Sequence, residues 1–165
     1  MAGATERVRQ ALEASGLPAE ILEFPESTRT AEEAAAAVGV DVGQIGKSLV
    51  FLAVDSEGRE APFLAIVSGR NRADMAKLSR HLRAVVRRAP AELVREATGF
   101  AIGGVPPVGH ATRLAVVIDQ DLEQYPLLFL AAGTPHAVFP CSYDDLIRLT
   151  GGKAVDLRED PAVTA

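Results

Sequence analysis

Three places in the sequence bring together residue types that do chemistry. The first is the run Gly103-Gly104-Val105-Pro106-Pro107-Val108-Gly109-His110. Glycine admits positive φ and close approach of another group, and proline fixes φ while lacking an N–H. The run predicts a rigid loop whose bare amides can face a ligand's oxygen atoms; a stiff structural crossover is the alternative. The second is Lys47, after Gly43-Gln44-Ile45-Gly46 and immediately before an apolar strand pattern. There an ammonium can grip a phosphate or polarise a carbonyl, although an isolated lysine at a strand end more often reaches out to solvent. The third is the pair His110 and His136, each on a loop at a strand entrance. Each can act as base, orienter or donor, or simply satisfy a backbone carbonyl.

Other chemistries lack their residues. No HxxxH or HExxH pattern occurs, and His81, His110 and His136 are scattered, which argues against catalytic zinc. Gly103-Gly104 does not extend into a GxGxxG or GxxxxGK phosphate loop, and no GxSxG elbow is present. Cys141 is the one cysteine, so there is no internal disulfide and no cysteine-based zinc cluster. It reads as a small packing residue ahead of the last helix. With no evident protein nucleophile, a hydrolase built here has to position water.

The elements that must hold these residues belong to one domain. The chain has 165 residues, 48% hydrophobic and 24% charged, the profile of a soluble globular protein. The longest apolar stretches, Leu49 to Val54 and Leu127 to Ala132, are too short to cross a bilayer, and Met1 to Gln10 is polar. These features predict a cytoplasmic protein with no membrane partner. Net charge is −5, but it is unevenly spread. Between Gly69 and Arg88, seven basic residues (Arg70, Arg72, Lys77, Arg80, Arg83, Arg87, Arg88) face Asp74 alone, giving +6 and leaving −11 elsewhere. A basic patch on an acidic body can steer one phosphate-bearing end of a ligand while the rest repels it.

Caps and breakers divide the chain. A first helix starts at Thr5, with Val8, Ala11 and Leu12 on one face, and stops at Gly16 and Pro18. Ile21 to Phe24 reads as a short strand. Thr30 and Glu33 form a capping box for an alanine-rich helix ending at Gly39. Ser48 to Val54 and Pro62 to Val67, joined by Asp55 to Glu60, read as a central antiparallel hairpin, apolar on both faces. Asp74 caps a third helix, Ala84 to Arg87 is a strand, and Pro90 opens a fourth helix ending at Gly99. Arg113 to Asp119, Pro126 to Ala131 and His136 to Phe139 read as strands, and Ser142 caps a last helix, Tyr143 to Leu149. Val155 to Leu157 reads as an edge strand and Glu159 to Ala165 as a frayed tail. Without a regular βαβ period this is an α+β fold, a single domain over 1–165 with a mixed, mostly antiparallel sheet flanked by helices.

Lys47 entering a strand, Gly103-Gly104-x-x-Pro107-x-Gly109, and Ala131-Ala132-Gly133-Thr134-Pro135-His136 with Asp145-Leu146 together resemble the YbaK family. That family includes free-standing relatives of the editing domain of bacterial prolyl-tRNA synthetase. The likeness runs from about Thr5 to Leu157, and Asp55 to Gly58 and Gly69 to Asp74 also fit it. The resemblance implies a YbaK-like fold and trans-editing: hydrolysis of the ester joining a wrong, small amino acid to the 3′ end of a tRNA, tRNA(Pro) foremost, with no metal or cofactor. It implies catalytic roles for Lys47, Gly103, Gly104 and Pro107, and aminoacyl contacts for Ser48, Val105, Gly109, His110, Gly133 and His136. With the charge pattern, it implies tRNA contacts for Arg70, Arg72, Lys77, Arg80 and Arg83, and prolyl-tRNA synthetase as a candidate partner. The attacking water would be helped by the ribose hydroxyl or amino group of the substrate. Many relatives carry Ser-Pro and a large apolar residue where this chain has Val105 to His110, so the amino acid removed does not carry over. Two other classes stay open: a non-catalytic module binding tRNA ends or a protein, and a hydrolase of small amino acid esters or thioesters.

Overall fold

A computed structural model describes residues 3–161; residues 1–2 of the polar N-terminal stretch and 162–165 of the expected frayed tail lie outside the described residues. The elements run α1 (Ala4–Ala14), β1 (Leu22–Glu23), α2 (Ala31–Val38), β2 (Ile45–Val54), β3 (Glu60–Ser68), α3 (Met75–Leu82) and β4 (Val85–Arg88). They continue α4 (Ala91–Thr98), β5 (Ala115–Asp119), β6 (Leu128–Ala131), β7 (Ala137–Cys141), α5 (Tyr143–Thr150) and β8 (Lys153–Val155). The helix starts are chemical. Thr30 and Glu33 close a reciprocal capping box, Asp74 accepts from the Lys77 amide, and Ser142 accepts from the Asp145 amide. Gly39, Gly99 and Gly151 end their helices in the left-handed region, where a side chain is disfavoured.

All eight strands form one sheet in the order β1-β7-β6-β2-β3-β5-β8, with β4 also paired to β2. Four pairings are antiparallel; β2–β6, β3–β5 and β5–β8 are parallel. The fold is thus the mixed, mostly antiparallel α+β domain that the pattern predicts. Helices cover both faces. On one, Val8 and Leu12 of α1, Val94 of α4 and Leu146 of α5 pack on Leu64, Ile66, Ile118 and Leu130. At about 1.5–3 kcal/mol per buried side chain, Val8 and Leu12 hold an 11-residue helix that would be marginal alone. On the other face α2 sets Ala31, Ala34 and Ala35 against Ile45, Phe129 and Val138, while α3 sets Leu78 among Phe51, Phe63 and Val67. Among the described residues no helix is long and apolar enough to cross a membrane.

Several boundaries differ from expectation. β2 begins at Ile45, so Lys47 lies within the strand, not before it. Gly46 before it is already in the strand, packed so that a Cβ there would stand a tight 3.1 Å from the Ile66 and Leu130 side chains. β7 is displaced to Ala137–Cys141 because Ala132 N–H donates to Ala137 C=O at 2.9 Å and sets the register there. The edge strand is Lys153–Val155 rather than Val155–Leu157, since Leu157 turns fully into the core. The start of the tail is pinned rather than frayed: Glu159 N–H donates to Arg72 C=O at 2.7 Å, and Arg158 bridges to Ala73.

A candidate ligand cleft at a gap in the sheet

The cleft follows from how β2 is paired. On one side β2 runs against β3 along nine residue pairs. On the other, β6 accompanies it only at Ile45 and Gly46, and β4 joins only from Phe51 onward. Residues 47–50 therefore border a gap. Two adjoining cavities of about 320 and 410 Å³ open there, and both are walled by Lys47, Ser48, Leu49, Ile102 and Val105. The smaller continues over Ile45, Phe129, Val138 and the entrance of α2, at Thr28, Arg29 and Glu32. The larger continues over Phe51, Met75 and Val94 to a charged rim of Arg72, Arg88 and Glu159.

Lys47 stands at the centre. Side chains alternate along β2, so Ile45 goes beneath α2 while Leu49 and Phe51 go beneath α3. Lys47 comes up between them, at the seam of the two helices. Its Nζ donates to the Asn71 carbonyl at 2.6 Å, which leaves two of the three ammonium protons for a ligand. Burial, reinforced by the Arg72 charge, lowers its pKa from 10.5, against the opposing fields of Glu32 and Asp119. Asn71 is itself tied down. Its amide donates to Asp119 at 2.8 Å and to Asp121 at 2.9 Å, and fully buried Asp119 also accepts from the Ser68 amide at 3.0 Å. A carboxylate 72 positions along the chain thus aims the lysine through one loop, which no local pattern around Lys47 foretells.

The Gly-Pro loop forms the opposite wall, but only part of it reaches the cleft. Gly103 and Val105 line it. Gly104 turns the other way: its amide donates to Ala101 C=O at 3.1 Å, and a Cβ there would stand 2.8 Å from the Thr134 backbone. Gly133 is packed as tightly, its Cβ position 2.9 Å from the Ala4 carbonyl. Buried Pro107 and exposed Gly109 shape the rear of the loop, where Gly109 approaches Ala11 of α1. His110 Nε2 contacts the Pro106 carbonyl at 2.7 Å, and burial lowers its pKa. His136 is exposed, with Nδ1 3.0 Å from the Glu26 carbonyl. Neither histidine lines either cavity. The sequence-predicted set therefore separates: Lys47, Ser48, Gly103 and Val105 meet at the cleft, while Gly104, Pro107, Gly109, His110, Gly133 and His136 build the loops behind it. Thr28, Arg29, Glu32 and Ile102 were not anticipated. The buried hydroxyls of Thr28 and Ser48 have no hydrogen-bond partner among the described residues.

The basic segment also divides. Lys77 is a correction to the charge count: its Nζ is held by Asp156 at 3.0 Å, Asp160 at 2.9 Å and the Arg158 carbonyl at 2.8 Å, and the residue is buried. These partners lie about 80 positions away in sequence, and their carboxylates raise its pKa. Arg70 pairs with Asp41 and Arg87 with Glu60. Arg80 and Arg83 are exposed, and with Arg72 and Arg88 they make no ion pair among the described residues. Burial pushes the Cys141 thiol up to about 12, so it is no nucleophile at neutral pH. Among the described residues no group of three or more His, Cys, Asp or Glu side chains is placed to hold a metal.

A fixed loop and a half-buried lysine border two adjoining cavities with room for a small molecule or the end of a longer chain. The chain belongs to the aminoacyl-tRNA editing domain family, whose model matches residues 25–149. It is 30% identical over 142 residues to the uncharacterized protein YwhH of Bacillus subtilis, covering 86% of this chain and 88% of that one. It is 23% identical over 135 residues to a protein of Enterococcus faecalis named "Putative Cys-tRNA(Pro)/Cys-tRNA(Cys) deacylase EbsC", covering 81% and 80%. Among solved structures it matches one titled "a putative trans-editing enzyme for prolyl tRNA synthetase" at 48% identity and a TM-score of 0.88, covering 97% of this chain and 99% of that one.

Proposed function

We propose that this chain is a cytoplasmic trans-editing aminoacyl-tRNA deacylase acting on tRNA(Pro) that carries a small non-cognate amino acid. The observation that carries this reading is the pair of joined cavities with Lys47 on their shared wall. An aminoacylated 3′ end has two parts joined at one ester, and the cleft offers two compartments joined at one cation. The smaller, with its apolar lining of Ala31, Ala34, Ile45, Phe129 and Val138, suits a short side chain. The larger suits the terminal nucleoside, with Arg72 and Arg88 at its rim placed for backbone phosphates. The ester then lies against Lys47, Ser48 and the Gly103–Val105 face of the loop.

In the reaction, water adds to the acyl carbon, the acyl C–O bond breaks, and a proton passes to the departing ribose oxygen. The products are the free amino acid and a 3′-hydroxyl. Two ammonium protons of Lys47 are available to the region where the carbonyl oxygen gains charge, and Gly103 and Val105 wall it from the other side. The water is activated by the ribose hydroxyl or amino group of the substrate, because the Ser48 and Thr28 hydroxyls on the cleft wall have no hydrogen-bonded base among the described residues to make them nucleophiles. Arg80 and Arg83, exposed on and just after α3, extend the basic surface toward the acceptor stem, and prolyl-tRNA synthetase is the partner this role implies.

The test is deacylation of tRNA(Pro) charged with alanine, cysteine, 2-aminobutyrate, serine, threonine or proline. Rapid loss of a small non-cognate ester, with proline spared, is expected. Stable esters with tRNA still bound would instead make the chain a binding module. Reversing Arg80 and Arg83 to Glu should lower kcat/KM about 10-fold or more on tRNA and flatten its salt dependence. An unchanged rate would favour a hydrolase of small esters. Cys141→Ala should keep the wild-type rate in the same assay, since its thiol neither ionises near neutrality nor lines the cleft.

A further inference from the structure

The gap in the sheet leaves backbone groups of β2 without a strand to pair with. Their direction is set by phase. Gly69 N–H donates to Ile45 C=O at 2.8 Å, so Ile45 and the odd-numbered residues after it turn their peptide groups toward β3. The even-numbered residues turn the other way. Gly46 meets β6 opposite Leu130, and Leu52 and Val54 meet β4 opposite Arg87 and Val85. Val86 N–H, bonded to Ser79 Oγ at 3.3 Å on the far side of β4, confirms the phase there. Between these two pairings, Ser48 and Val50 direct two N–H and two C=O groups into the cleft. No hydrogen bond to them from outside β2 and β3 is present among the described residues.

We propose that this open edge binds the main-chain part of the substrate: the α-ammonium donates to Ser48 C=O, and Val50 N–H donates to the ester carbonyl oxygen. The inference rests on the deacylase reading and assigns its substrate contacts. β6 runs parallel to β2 and leaves it after Gly46. One aminoacyl residue placed where β6 would have continued presents a donor and then an acceptor in the order of a parallel ladder. The gap spans four residues, about 13 Å at strand rise, and is closed at one end by β6 and at the other by β4. A peptide strand cannot run through it, whereas a single aminoacyl group fits. Ser48 lines both cavities and Val50 the larger, which puts this edge beside the ester and across from Gly103 and Val105. The carbonyl oxygen then receives the Val50 N–H beside the Lys47 ammonium as it gains charge. Recognition through backbone reads features common to all α-amino acids and leaves discrimination to the size of the smaller cavity.

The probe is 3′-(L-alanylamino)-3′-deoxyadenosine, in which an amide replaces the labile ester, titrated into the 15N-labelled full chain. The Val50 amide proton should move downfield and its solvent exchange slow at least tenfold, while Ala65 and Val67 in the β3 ladder stay unmoved. Saturable shifts at Gly103 without a change at Val50 would overturn the proposal and leave the deacylase reading intact. Absence of deacylation of every ester would overturn that reading itself. A second measurement uses Val50→Pro, which removes an N–H that no strand uses and sets the ring Cδ in its place, against Val50→Ala, which keeps it. With both variants folded by circular dichroism, Val50→Pro should hydrolyse the ester at least tenfold more slowly than Val50→Ala; equal rates would overturn the proposal whether or not the analogue binds.

Discussion

Lys47→Met is expected to lose deacylation by about 10²–10³-fold while melting at or above the wild-type temperature. The two halves of that result come from the same burial. Methionine keeps the length and apolar stem of lysine but supplies no donor, so any charge on the ester oxygen or terminal phosphate loses its partner. The fold loses only the bond to the Asn71 carbonyl. Against that stands the cost of holding a cation at the helix seam, which burial shows by pulling the lysine pKa down from 10.5. The sign is definite: the folded state disfavours the charged form. The destabilisation is therefore present below the folded pKa and is relieved as pH rises through it toward the unfolded value. Methionine removes that cost at neutral pH. In the wild type, activity that needs the ammonium should decline on the alkaline side earlier than an ordinary lysine would dictate. Rates of ester loss between pH 6 and 10, corrected for spontaneous hydrolysis, together with thermal unfolding of both proteins, test this. A variant that melts lower and turns over normally would make Lys47 a structural residue.

The fold was legible where its signals are local. Thr30 with Glu33, Asp74, and Ser142 are helix starts written in side-chain chemistry, and Gly39, Gly99 and Gly151 are stops written in φ. The β2–β3 hairpin was legible because both strands are apolar on both faces and Asp55 folds the link by accepting from the Glu57 and Arg59 amides. The cleft was not legible, because it is the space between two departures: β6 leaving β2 after Gly46, and β4 reaching it at Phe51. Neither event has a signature within a few residues. Lys47 and the Gly-Pro loop stood out through residue type, yet the sequence could not say that Gly103 faces the cleft while Gly104 packs on Thr134. Charge counting failed at Lys77 for the same reason. The sum over a segment records the lysine but not Asp156 and Asp160, which neutralise it from the far end of the chain.

Asp119→Ala is expected to be the most destabilising single change near the cleft, and to lower activity in whatever fraction remains folded. The carboxylate is fully buried and accepts from three donors: the Ser68 amide at 3.0 Å, the Asn71 side chain at 2.8 Å and the Asp121 amide at 3.0 Å. Alanine strands the buried Ser68 N–H and frees the turn after β5. At about 1–3 kcal/mol for each unsatisfied buried donor, the loss is about 3–5 kcal/mol, a large share of the stability of a domain this size. Thermal unfolding should show it as a Tm lower by roughly 10 °C or more. Asp119→Asn separates stability from function. It keeps the shape, and its one acceptor oxygen can serve Ser68 and Asn71 together, so it should fold; its NH2 group then faces the Asp121 N–H and displaces the turn whose carboxylate also holds Asn71. The Asn71 carbonyl then no longer fixes Lys47 Nζ, and kcat should fall about tenfold, with KM for the tRNA much less affected because the phosphate contacts lie elsewhere. A folded Asp119→Asn protein with wild-type kcat would show that the lysine needs no such anchor. Equal losses in kcat for Asp119→Asn and Lys47→Met would show the opposite, that a half-buried ammonium works only where the carboxylate behind its loop has aimed it.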